Sequence, residues 1–319
     1  MPDEKHRTED SLNESRILVL GVQVLLSFQF ICALEPLFDT LTTLSRYFDL
    51  VGLGLLLLSL CLLIAPVPYH QMVFAGHDNE DLQHFATFVI TLALMPFAGS
   101  LGIDMFIAAE RTGGRALAIW VGAAAIACAI LFWYGLEAAA SYTRHNPPLF
   151  GLMKFREFPI AMQQVHLNPE QRLEHVLLEA RVVLPGAQAL LGFQFVGAIL
   201  SGFEKLPASS RYVHLVALAL VTLSTILLMM PAAYHRIVER GRATEQLFRL
   251  ASNAVVASLI PLSLGICCDF FVVARSITQS LALAATASTA MALCFYVLWF
   301  GLSFYRRLQF RRAATFPAD

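Results

Sequence analysis

Long apolar stretches alternate with short polar interruptions along the whole chain. Eight of them, approximately 17–38, 47–69, 85–109, 115–136, 181–203, 212–234, 249–273 and 280–305, have the length of a bilayer crossing. About 20 residues at ~1.5 Å rise per residue span a hydrocarbon core ~30 Å thick. The pattern therefore predicts an all-α, polytopic membrane protein with eight transmembrane helices. The polar interruptions mark off an N-terminal tail 1–16, a first membrane unit 17–136, a linker 137–178, a second membrane unit 179–305 and a basic tail 306–319. No short apolar core with a small-residue cleavage site follows the polar start, so no cleaved signal peptide is expected.

The two membrane units are copies of one another. Glu14, Arg16, Gly21, Gln23, Phe28, Gln29, Phe30, Arg46, Tyr47, Pro66, Tyr69, His70, Gly76, Pro96 and Asp104 recur 165 residues later as Glu179, Arg181, Gly186, Gln188, Phe193, Gln194, Phe195, Arg211, Tyr212, Pro231, Tyr234, His235, Gly241, Pro261 and Asp269. In the fourth span the separation becomes 166, pairing Cys128, Trp133 and Gly135 with Cys294, Trp299 and Gly301, as one added residue in the preceding loop requires. Four spans per unit return the chain to its starting side. Two parallel four-helix repeats, related by a pseudo-twofold axis along the membrane normal and paired as an internal pseudo-dimer, are thus expected. In the linker, "PPLFGLMKFREFPI" suits the headgroup level or a solvated loop. The following "NPEQ" sets Asn168 and Pro169 as a helix start.

Composition sharpens this picture. The chain is 57% hydrophobic and 14% charged with a net charge of −1, which makes the lipid bilayer the expected partner and nucleic acid an unexpected one. Excess Lys and Arg stay cytoplasmic. Of the 22 basic residues, 16 lie on the side of the two termini and 6 (Arg46, Arg111, Arg115, Lys205, Arg211 and Arg275) on the other, so both termini are expected in the cytoplasm. Segments 70–84 and 235–249 carry opposite net charge, −3 against +2, and would attract across the pseudo-twofold axis.

The stretches "ESRILVLGVQVLLSFQF" and "EARVVLPGAQALLGFQF", followed by "APVPYH" and "MPAAYHRI", resemble an uncharacterised bacterial family of small four-span membrane proteins, a domain of unknown function, present here as two tandem copies. The resemblance implies the topology above and a place in the bacterial cytoplasmic membrane. It implies no activity.

Candidate chemistry lies in the polar residues inside the spans. Gln23, Gln29, Gln188 and Gln194 need hydrogen-bond partners in hydrocarbon, either as links between helices or as the polar lining of a path. Asp104 and Asp269 lie near the outer ends of their spans, level with Arg46 and Arg211. They are candidates for Asp–Arg pairs that fasten helices or for an ion or solute site. Glu14, Arg16, Tyr69, His70, Glu179, Arg181, Tyr234 and His235 form a polar and aromatic belt at the cytoplasmic interface. The histidines and acids of 70–84 do not make an expected metal site, because the repeat replaces His77 and His84 by Arg242 and Arg249. The six cysteines, all within spans, are expected as packing residues. No catalytic, phosphate-binding or haem-attachment motif is present, so neither enzyme chemistry nor a cofactor is expected. The functional expectation is small-solute binding or passage at the interface between repeats, with a scaffold for lipids or protein partners as the alternative.

Overall fold

A computed structural model describes the backbone of residues 2–77, 80–135, 169–240 and 242–315, and the side chains of 17–77, 81–135, 171–240 and 242–309. Among these residues the regular structure is all helical, with no strand. The helices are α1 (Pro2–Cys32), α2 (Thr43–Ile64), α3 (Pro66–Val73), α4 (Glu80–Ile130), α5 (Pro169–Ile199), α6 (Ser201–Glu204), α7 (Ala208–Ile237), α8 (Glu245–Thr278), α9 (Leu281–Tyr296) and α10 (Leu302–Thr315). Six helical segments are long and apolar enough to cross a membrane: Thr43–Val73, Asp81–Gly135, Gln171–Ile199, Ala208–Ile237, Glu245–Thr278 and Leu281–Gln309. A shorter apolar one is Ile17–Cys32. At the two ends of the chain, α1 begins at Pro2 and α10 reaches Thr315. Most of the linker, 137–168, including Asn168, lies outside the described residues, but Pro169 opens α5 as its fixed φ favours.

Local chemistry sets the element ends. Thr42, Thr244 and Ser280 cap α2, α8 and α9 by accepting the backbone N–H groups of Ser45, Leu247 and Leu283. Within α4, Gly114 adopts φ 81° and ψ −178°, a conformation closed to residues with a side chain, and splits the helix into two arms. The arms fold back on one another: a Cβ on Gly122 would lie 2.8 Å from the Gly102 carbonyl oxygen, so both glycines permit backbone-close packing. The duplication is also written in backbone conformation. Positive φ occurs at Ala75 and again at Arg240, at Gly114 and again at Gln279, and π-helical turns close Leu131–Gly135 and Val297–Gly301.

The two halves share a core. α1 packs along α5, α2 along α4 and α7 along α8, and buried side chains of both units merge into one apolar cluster. Contacts between α1 and α5 rise in step: Gln23 meets Gly186, Phe28 meets the ring of its own repeat equivalent Phe193 at 4.7 Å, and Leu34 meets Gly197. Many large apolar side chains, among them Ile17, Trp120, Leu131, Ile199 and Tyr212, are exposed on the outside, the inverse of a water-soluble surface. One end of the bundle, here the upper end, gathers residues 33–42, Gly114, 200–207 and 279–280. The lower end gathers 65–77 and 237–244.

Candidate functional site

Near the upper end, each repeat presents a buried amide to an aspartate. Gln29 on α1 donates from Nε2 to Asp104 Oδ1 of α4 at 2.5 Å, and Gln194 on α5 donates to Asp269 Oδ2 of α8 at 2.5 Å. Gly52 of α2 makes room for the first of these, since a Cβ there would already stand 3.6 Å from the Gln29 amide nitrogen. The Asp–Arg pairs expected at this level do not form. Arg46 has a buried Nε without a hydrogen-bond partner, and Arg211 projects outward. A carboxylate inside an apolar bundle takes the nearest available donor, and the amide one helix away lies deeper and better aimed than a guanidinium at the helix start.

The second repeat adds a histidine. His214 of α7 places Nδ1 2.9 Å from Asp269 Oδ1 and Nε2 3.1 Å from the Gln194 carbonyl oxygen. Both ring nitrogens face oxygens, and a doubly protonated ring donates to both. The residue 165 positions earlier is Asp49, so the first repeat has a second carboxylate where the other has an imidazole. Asp49 is buried, its Oδ2 has no hydrogen-bond partner, and it lies one turn before Gly52, which faces the Gln29 amide. Asp49 and His214 were not among the residues singled out from sequence. Their signal was available as an ionisable residue at equivalent positions just inside two apolar runs.

Gln23 and Gln188, equivalent in sequence, part company. Gln23 is buried against Gly186, where any side chain would collide with its amide, and neither of its polar atoms finds a hydrogen bond. Gln188 is exposed on the outer surface, 3.9 Å from the Met229 sulfur. The four glutamines therefore do not line one path.

Between the repeats at the upper end lies a polar vestibule of about 230 Å³, with Glu35, Asp39, Lys205, Arg275 and Gln279 among its walls. Lys205 reaches Asp39 across it at 3.7 Å. Leu34 separates this vestibule from a smaller cavity of about 20 Å³ that touches Gln194, His214 and Asp269. That is room for about one water molecule. The buried Gln194 Oε1, which has no protein partner, borders it.

At the lower end the repeats are bolted together by polar contacts. Glu179 of α5, fully buried, accepts from His70 Nδ1 and from Gln71 Nε2 (2.6 Å) on α3, and Ser252 of α8 donates to Gln71 Oε1 at 2.7 Å. Arg172 donates to Glu245 at 3.1 Å and to the Ala75 carbonyl at 2.9 Å while its guanidinium lies 3.8 Å above the Phe248 ring. Of the expected interfacial belt, Tyr69, His70 and Glu179 are therefore core residues, Tyr234 and His235 are half-buried, and Arg181 is exposed. The side chains of Glu14 and Arg16, and Asp78 and Glu80 of the acidic segment, lie outside the described residues.

Helices of this apolarity, a surface of large apolar side chains and a tandem unit define an all-helical protein of multi-pass membrane architecture. The chain belongs to the family of unknown function DUF6328, which matches it twice in tandem, over residues 4–137 and 168–303. No curated protein and no solved structure matches the chain.

Proposed function

We propose that the chain is an eight-span protein of the bacterial cytoplasmic membrane, with both termini in the cytoplasm, that binds a small polar solute from the outer side at its paired Gln–Asp sites. The single observation that carries this reading is the recurrence of one bond from a buried glutamine amide to an aspartate at equivalent positions, the second of them beneath a polar vestibule. Eight crossings are supported by the Gly114 break, which turns the longest apolar helix into a hairpin, and by the apolar Ile17–Cys32 segment of α1. A parallel relation of the repeats is supported by the contacts of α1 and α5 that rise in step and by the touching equivalents Phe28 and Phe193, since equivalent residues meet only near a twofold axis. The division of basic residues then favours the upper end outside. Binding is favoured over free passage, because Gln23 is sealed against Gly186 and Gln188 faces outward.

The dry, packed environment of Gln23 favours a second reading, a membrane scaffold without a solute. A cysteine-free chain carrying single cysteines separates the two. Positions 42, 112, 207 and 277 should react with a membrane-impermeant thiol reagent on intact cells, and 75, 160, 240 and 315 only after permeabilisation. A cysteine at Ser276, in the vestibule wall, should react from outside and be protected by a bound small polar solute. Labelling at Ser276 that no ion, amino acid or sugar in a screened set slows would leave the scaffold standing.

A further inference from the structure

Resting on the reading of the upper sites as ligand sites, we propose that the first-repeat site formed by Asp49, Asp104 and Gln29 binds a small hard divalent cation, and that His214 takes the place of that cation in the second repeat. The two sites share an amide and an aspartate and differ in one component. In the second, the imidazole of His214 stands 2.9 Å from Asp269 and 3.1 Å from the Gln194 carbonyl, so the cluster holds a group able to serve as its own positive partner. In the first, that partner is replaced by another carboxylate. Asp49 is 6% exposed with Oδ2 unpartnered, and Gln29 is 7% exposed with Oε1 unpartnered.

Two carboxylates in an apolar bundle demand a counter-charge, and an uncompensated buried charge is strongly unfavourable. The neighbouring cation does not provide it: Arg46, one turn above Asp49 on α2, pairs with neither aspartate, and its Nε is itself unpartnered. The two unsatisfied atoms of the site residues themselves, Asp49 Oδ2 and Gln29 Oε1, are oxygens, the donor set of Ca²⁺ and Mg²⁺ rather than of a thiophilic or imidazole-seeking metal. Two negative charges match one divalent ion. No group of three or more His, Cys, Asp or Glu side chains converges among the described residues. The ion therefore retains water, reached through the partly exposed Asp104.

The test uses the full chain in detergent, titrated calorimetrically with CaCl₂ and with MgCl₂ at ionic strength held constant by choline chloride. The wild type should take up one divalent ion per chain with a saturable rise in thermal midpoint. Asp49→His, which copies the second site into the first, should bind none and yet unfold no earlier than the ion-free wild type. Asp49→Asn should also lose binding. His214→Asp should raise the count to two. Absence of binding of both ions to the wild type, or binding that survives Asp49→His, would overturn the proposal. If the ion does not bind while the Ser276 cysteine is still labelled from outside and protected by a solute, only the cation assignment falls. If that cysteine is neither labelled nor protected, the solute-site reading falls with it.

Discussion

The second apolar run of each unit ends near the same Tyr-His pair, yet the two ends do opposite things. In the first unit, Pro66 and Pro68 follow the turn at Ala65. Pro66 has no N–H to donate, the Ala65 N–H bonds Leu62 instead of Cys61, and the chain breaks into α3, which tucks under the bundle and buries His70 against Glu179. In the second unit, Pro231 stands alone, Ala233 replaces the second proline, and α7 runs on unbroken to Ile237, leaving His235 half-buried. The break has a further consequence: the Cys61 carbonyl, released from its own helix, accepts the indole N–H of Trp299 from the other unit at 2.8 Å. The equivalent Trp133 instead stacks on Phe97 of its own unit at 5.6 Å. The units differ here at Pro68 against Ala233, and equivalent residues serve the junction in one unit and the unit itself in the other. A duplicated sequence free to diverge can assign its copies different tasks.

The comparison is most sharply broken at the lower junction. Glu179→Ala removes the acceptor of both His70 and Gln71 in a fully buried setting, and is expected to cost about 3–5 kcal/mol, lowering the denaturation midpoint in detergent. A shift no larger than that of a surface substitution would mean that α3 does not dock on α5. Next in size is Gly202, which meets the Leu34 carbonyl so closely that any side chain collides with backbone, whereas its repeat equivalent Leu37 is exposed. Gly202→Leu should cost about 3 kcal/mol and Leu37→Gly far less in the same assay, as overpacking against a fixed backbone predicts.

Smaller effects sharpen the contrast between the tryptophans. Trp299→Phe strands the Cys61 carbonyl in the core and should cost about 2 kcal/mol. Trp133→Phe keeps a ring against Phe97 and should change the midpoint little. Equal losses would show that the indole bond across the units contributes nothing. The smallest difference concerns the amides: Gln29→Leu and Gln194→Leu should each destabilise by about 1 kcal/mol through loss of an interhelical bond, while Gln188→Leu, on the outer surface, should be neutral or slightly stabilising. If Gln188→Leu is as damaging as the other two, that residue has a partner in the membrane, such as a second chain.

Much of the architecture was legible in the residues taken one after another. Apolar run length is a local property and marked the helices. Recurrence at 165 residues marked the duplication, which the structure repeats down to the positive φ of Ala75 and Arg240. The importance of Gln29, Gln194, Asp104 and Asp269 was likewise legible, because polar atoms in an apolar stretch must find partners. Which partners they find was not. That Asp104 bonds Gln29 rather than Arg46, that Glu179 reaches α3 of the other unit, and that Gln23 is sealed while Gln188 faces outward depend on which face of each helix meets which neighbour. A helix rotated by one residue turns by about 100°. The sequence by itself therefore determined the helices, the repeat and the residues that require partners. Tertiary packing alone assigned those partners, since the choice is made between side chains far apart in the chain and by contacts that no local pattern encodes.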